Sequence, residues 1–147
     1  MMRTCLYAFV LCTLAVPVVT SANAADVGRV KVSSGSAYIE RAGQRLPAVV
    51  DAPVRATDTV VTGANGSVGI TFMDNSRISA GPNSTLVINR YTFDPATHAG
   101  AFDTTLKRGT LAVASGRLAK QSPESMTVRT STMVLGVRGT EFLVHAE

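Results

Sequence analysis

Residues 65–88 read NGSVGITFMDNSRISAGPNSTLVI, and the fold turns on how this stretch is read. Three units follow one another in it. Asn65-Gly66-Ser67 precedes Val68, Ile70 and Phe72. Asp74-Asn75-Ser76 precedes Ile78 and Ala80. Pro82-Asn83-Ser84 precedes Leu86 and Ile88. The serines stand nine and then eight residues apart. Each unit is a turn followed by a short strand with apolar side chains on every second position. Gly and Asn tolerate the left-handed backbone of tight turns, and Ser and Asp side chains bond the backbone nearby. The three units read as a meander of short strands with one buried face, because successive strand side chains point to opposite sides. The units are too few and too inexact for a solenoid array. Asn65-Gly66-Ser67 and Asn83-Ser84-Thr85 also match the N-glycosylation acceptor pattern, and the turn reading accounts for both.

The same grammar extends in both directions. Val27 to Val32 ends in an alternating run, Ser33-Ser34-Gly35 turns, and Ala37 to Arg41 is a second strand before Ala42-Gly43-Gln44. Pro47 and Pro53 make the stretch between them poor material for a central strand. Asp58 to Thr62 resumes the sheet. Tyr91 to Ala101, with Pro95 and Gly100, has no period and reads as a loop or a long hairpin tip. Phe102 to Val113 returns to strand. Thr110 to Lys120 reads as strand rather than helix, since Leu111 and Val113 alternate and Gly116 interrupts. Ser115 to Ser125 reads as a polar surface connection with Pro123. The expected fold is all-β: a single compact domain of short, mostly antiparallel strands, as a two-layer sandwich or a β-roll.

The first 24 residues are read apart from this domain. Arg3 opens a positive start, Leu6 to Val19 is apolar, and Ala22-Asn23-Ala24 has the small-x-small form of a cleavage site. The apolar run is shorter than the roughly 20 residues that span a bilayer, and it contains Pro17. Leu11 before Cys12 argues against a lipid-attachment site. The expectation is a signal peptide over 1–24, cleaved after Ala24, with a β domain over 25–147 that is periplasmic or secreted and has no membrane span. Cys5 and Cys12 both fall in the leader, so the domain is expected to hold without disulfides and to lack thiol chemistry.

Composition narrows the function. The formal charge is +4, one unit of it from Arg3. The basic residues are scattered singly, with only Lys107 and Arg108 adjacent, and no aromatics interleave them, which argues against nucleic acid. His98 and His145 have no carboxylate or second histidine at ligand spacing, so no metal or other cofactor is expected. No nucleophile elbow, phosphate loop or dinucleotide fingerprint occurs, and no serine is paired with a base, so no catalytic residue is assigned.

The closing stretch LGVRGTEFLV, Leu135 to Val144, changes parity. Leu135 and Val137 are odd; Phe142 and Val144 are even. One inserted residue puts both pairs on one face, and Gly139 is the natural place for such a bulge. Gly136 is then expected to allow close backbone approach, Arg138 to point away from the core or to lie across the sheet and donate hydrogen bonds to carbonyls or a carboxylate, and Arg138, Thr140 and Phe142 to hold the fold. The alternative makes Gly136 to Thr140 an anion-binding nest. Candidates for contact with a ligand or partner are Tyr91, Phe93 and His98 on the irregular loop.

These residues carry a resemblance. Thr127-Val128-Arg129-Thr130 followed by Val137-Arg138-Gly139-Thr140-Glu141-Phe142 resembles the closing motif of the FecR domain. Val27 to Val30 resembles its opening strand and Asp58 to Thr62 its D-x-V-x-T segment. Ser67 to Phe72 with Asp74-Asn75-Ser76 is similar to its strand and D-G-S turn, and Leu106 to Val113 to its L-x-x-G-x-L segment. Asn75 replaces the usual Gly, Ser131 the usual Pro, and the loop over 91–101 is an elaboration. The resemblance implies an envelope-facing, non-enzymatic, all-β module for cell-envelope or iron-related signalling, with an envelope protein partner such as a membrane sensor or receptor. Regulators of this family take a signal from an outer-membrane iron-siderophore receptor and pass it to a sigma factor through a membrane helix. This chain is read as a signal peptide plus the domain, so it is expected to act without its own transmembrane relay. The other reading of such a domain is binding of an envelope glycan or small ligand.

Overall fold

The computed structural model describes residues 25–138 and 141–147. The predicted leader over 1–24, and Gly139 and Thr140, lie outside the described residues. The domain is all-β, as expected. Twelve strands follow one another: β1 (Asp26–Ser34), β2 (Ala37–Arg41), β3 (Gln44–Pro47), β4 (Pro53–Arg55), β5 (Thr59–Thr62), β6 (Ser67–Phe72), β7 (Arg77–Ala80), β8 (Thr85–Phe93), β9 (Gly100–Ala114), β10 (Met126–Arg129), β11 (Val134–Gly136) and β12 (Glu141–Ala146). One short helix, α1 (Arg117–Gln121), and a single 3-10 turn at Pro123–Ser125 separate β9 from β10.

The long strand β9 organises everything else. Its first half pairs with β8 and with β10; its second half pairs with β7 and β12. One layer therefore runs β4-β1-β6-β7-β9-β12, and the other runs β3-β2-β5-β8-β9-β10-β11. Among the described residues only the β9–β10 pair is parallel. Such sharing folds a single curled sheet into two layers over one core.

Gly109 makes the corner. Buried positions on β9 are even through Phe102, Thr104 and Leu106, then odd through Gly109, Leu111 and Val113. Lys107 and Arg108 are both exposed between them, and the β8–β9 register shifts there, which is the mark of a bulge. Gly109 has φ of +98°, and a Cβ on it would run into Ser84. Only glycine meets both demands.

Between the layers lie Val30, Val60, Leu86, Ile88, Leu106 and Leu111, each essentially unexposed. Phe72, Tyr91 and Phe102 form an aromatic knot with centroids 4.6–5.3 Å apart. Side chains of this size contribute about 1.5–3 kcal/mol each when buried, and this core stands without cysteine, since residues 25–147 contain none. Pro47 and Pro53 fall on β3 and β4, the outermost strands of the sheet path, where a missing N–H donor costs no ladder bond.

The structure corrects four expectations. Residues 117–121 are helix, not strand or polar connection, and Leu118 and Ala119 are buried against the core. Five residues are too few to display a helical period. Tyr91 is a core residue of β8, 6% exposed, and not a loop residue; the hairpin tip is confined to 94–99. The units of residues 65–88 are not one meander: β6 and β7 pair, but β8 belongs to the other layer. β11 and β12 are not two halves of one strand, because β11 pairs with β10 in one layer and β12 with β9 in the other. Leu135, Val137, Phe142 and Val144 all pack on the core, as the parity count expects.

Candidate functional site

Two buried carboxylates come first, because buried charge is where chemistry is sought. Asp58, 1% exposed, takes two bonds from Arg41, from Nε at 2.8 Å and Nη2 at 2.6 Å, and one from the Arg55 N–H at 2.8 Å. The bidentate bond to Asp58 raises the Arg41 pKa above its ordinary value. Asp74 is fully buried. It accepts from the Tyr91 hydroxyl at 2.9 Å, the Ser76 hydroxyl at 2.5 Å and the Leu118 N–H at 3.4 Å. Burial foremost, and then the Asp74 charge, push the Tyr91 phenol well above its usual range. The Gly116 N–H donates to Ser76 Oγ at 3.0 Å, and Arg117 N–H to the Asp74 carbonyl at 2.8 Å. These clusters combine local turn bonds, such as Ser76 to Asp74 and Arg55 N–H to Asp58, with bonds that tie the turn to a distant segment. They are clamps that hold α1 and the strand ends, and both carboxylates are kept from solvent, with Arg41 alone partly exposed at 22%.

The surface carries a different feature. A two-layer sheet has edges, and each edge is a template for another strand unless something blocks it. β4 has three residues and begins with Pro53; β3 has four, ends in Pro47, and lays Arg45 over the Tyr38 ring at 4.7 Å. β11 has three residues. β12 has six, Glu-Phe-Leu-Val-His-Ala, with no proline, lysine or bulge, and among the described residues only β9 pairs with it.

The orientation of its free groups follows from one hydrogen bond. Gly81 N–H donates to the Thr110 carbonyl at 2.9 Å, so residue 110 turns its backbone groups toward β7. Alternation then turns Gly109, Leu111 and Val113 toward β12, where they face Ala146, Val144 and Phe142. The N–H and C=O groups of Glu141, Leu143 and His145 consequently point outward from the edge. Leu143 is 69% exposed. Leu135, Gly136, Phe142 and Leu143 line a depression of about 280 Å³ between the ends of the two layers. Met133 and Val134 stand exposed on the β11 side. The strand edge and the apolar slot are contiguous and form the candidate site.

The residues singled out in the sequence are not gathered in one place. Phe142 lines the slot, and so does Gly136, where a Cβ would meet nothing within 4 Å; the expected close backbone approach is not made there. Arg138 is exposed and lines a depression shared with Glu124, a carboxylate that works against anion binding. The anion nest and the bulge both rest on Gly139 and Thr140, outside the described residues. Phe93 is half-buried and stacks on His98 at 6.0 Å, and His98 takes a positive φ of 59° in the hairpin tip. That tip lies at the opposite end of β9 from β12. Sequence reasoning missed Leu143 and His145 as edge residues, although alternation against buried Val144 marks them as outward.

Among the described residues no helix is long and apolar enough to cross a membrane, and no group of three or more His, Cys, Asp or Glu is placed to hold a metal. A family model described as FecR protein matches residues 58–147, from the Asp58 that caps β5 through β12. No curated protein and no solved structure matches the chain.

Proposed function

The chain belongs to the FecR protein family, a family of signalling-related domains, and from that premise we propose that it is a non-enzymatic, periplasmic or secreted module that works by protein contact. Its partner is an envelope protein, a membrane sensor or receptor, that adds an extended segment to β12 and seats an apolar side chain in the slot beside Phe142. Strand addition gains affinity from main-chain hydrogen bonds and selectivity from alternate side-chain pockets. The observation that carries this reading is the contrast between the edges. Three are short, two of these bear proline, and β12 alone offers six unblocked residues, four of them apolar. Localisation rests on the leader-like pattern over 1–24.

The test expresses the full chain in an envelope-bearing host. N-terminal sequencing of the exported form is expected to begin at Ala25. Mild crosslinking in envelope extract is then compared for the natural chain and Leu143→Pro, which removes an outward N–H without touching the β9 ladder. Loss of one defined crosslinked protein in the variant supports the edge. Retention on peptidoglycan or polysaccharide with no protein crosslink would overturn it in favour of glycan binding.

A further inference from the structure

β12 is complementary to itself. Its outward positions are Glu141, Leu143 and His145, and its inward positions are Phe142 and Val144. Place a second copy antiparallel, with the two-fold axis at Leu143. Glu141 of each chain then stands opposite His145 of the other, Leu143 opposite Leu143, and Phe142 opposite Val144. The outward backbone groups belong to residues 141, 143 and 145, so this register pairs donors and acceptors that both face the gap. The next register in the same hydrogen-bonding phase sets Glu141 against Glu147, like charges directly opposite, which sheets disfavour. A shift by one residue sets outward groups against inward ones. The register shifted the other way sets Glu141 against Leu143 and forgoes the Glu141–His145 pair, so charge and hydrogen-bond phase together favour the alignment about Leu143.

His145 is prepared for that role. Its Nδ1 lies 3.2 Å from Thr110 Oγ1. When the threonine hydroxyl donates to Nδ1, the Nε2–H is left to donate to a carboxylate across the edge. We infer that the domain self-associates through β12, the partner being a second copy of this chain paired antiparallel about Leu143, so that the β9–β12 layers of two molecules form one continuous sheet. This rests on the reading of β12 as a pairing edge and names the occupant it takes when no other partner is present. The half-buried Phe142 ring meets the partner's Val144 in that arrangement, which closes the slot.

The test uses the full chain with Cys5→Ser and Cys12→Ser, so that an introduced cysteine is the only thiol. Leu143→Cys is expected to crosslink to itself rapidly under mild oxidation, since opposed residues of a hydrogen-bonded antiparallel pair lie about 5.5 Å apart, within disulfide range. Val32→Cys, on β1 and 59% exposed against 69% for Leu143, serves as the control and is expected to crosslink slowly. In sedimentation equilibrium Glu141→Lys is expected to weaken self-association by about tenfold, and Glu141→Lys with His145→Glu to restore it. A chain that is monomeric up to about millimolar concentration overturns the inference. So does crosslinking of Leu143→Cys no faster than Val32→Cys, or association indifferent to both charge variants. A monomeric chain whose envelope crosslink is still lost in Leu143→Pro sinks self-pairing and leaves the edge reading standing.

Discussion

The Tyr91 hydroxyl accepts a hydrogen bond from the Asp74 N–H at 3.0 Å and returns one to Asp74 Oδ1 at 2.9 Å. A residue that reads as part of a contact loop is thus the polar anchor of the core, and it ties β8 to the turn after β6. Tyr91→Phe keeps the ring against Phe72 and Phe102 but strips both bonds from a fully buried aspartate. The expected loss is about 1–3 kcal/mol, read as a lower urea midpoint with unchanged slope. An unchanged midpoint would show that the pair contributes nothing.

The same phenol sets an alkaline limit. Its pKa is raised in the fold, by burial first and by Asp74 second. A raised acid-form pKa gives stability that is whole below the unfolded value of about 10 and drains away as pH climbs above it. Urea midpoints are therefore expected to fall above about pH 10, and Tyr91→Phe to flatten that decline relative to its own value at neutral pH. A parallel decline in both proteins would place the alkaline sensitivity elsewhere.

Three glycines separate by environment. At Gly109 the φ of +98° and the nearness of Ser84 forbid a side chain, and at Gly116 a Cβ would collide with the Asp74 carbonyl; at Gly136 there is open space. Gly109→Ala is expected to cost about 3 kcal/mol or more and Gly136→Ala less than about 0.5 kcal/mol. Thermal melts of the two variants decide it. Equal melting temperatures would mean that β9 does not need its corner at Gly109.

Asp58 and Arg41 make a prediction about the D-x-V-x-T segment. Val60 sits in the core, while Asp58 fastens the start of β5 and the Thr62 hydroxyl accepts from the Ser84 N–H at 2.9 Å at its end. Arg41→Met leaves a nearly unexposed carboxylate with only the Arg55 N–H. Because the Arg41 side chain is itself 22% exposed, water reaches the gap and the cost is expected at about 2–3 kcal/mol, below that of a sealed pair. A double-mutant cycle with Asp58→Asn measures it; a coupling near zero refutes the bridge.

Alternation was legible wherever one face is buried. Val68, Ile70 and Phe72 on β6, and Leu86 and Ile88 on β8, are inside as their spacing indicates. Asn75, in place of the family's usual glycine, takes the left-handed φ of 66° that the turn requires. What stayed hidden is non-local. Nothing in the spacing of β7 and β8 says that they part to different layers, since pairing is decided by which strand each meets. The helix at Arg117 was hidden by its length. The corner at Gly109 was legible: Leu106 is even, while Leu111 and Val113 are odd, the same parity count that drew attention to Leu135 and Val144. The edge needed the structure, because a strand is an edge only by what fails to pair with it.

Proline scanning of β12 tests the orientation on which the site depends. Leu143 turns its N–H outward, whereas Val144 turns its N–H toward Leu111 of β9. Leu143→Pro removes a donor that no described strand uses, and its side chain already lies in solvent, so the expected cost is within about 1 kcal/mol. Val144→Pro removes a ladder bond beneath a side chain that is 3% exposed, so about 3 kcal/mol or more is expected. Hydrogen exchange separates the two further. In the natural chain the Val144 amide is expected to exchange slowly and the Leu143 amide quickly at low concentration, with Leu143 gaining protection as self-association fills the edge. The reverse order of protection would mean that β12 meets β9 through its other residues, and the self-complementary register built on Leu143 would fall with it.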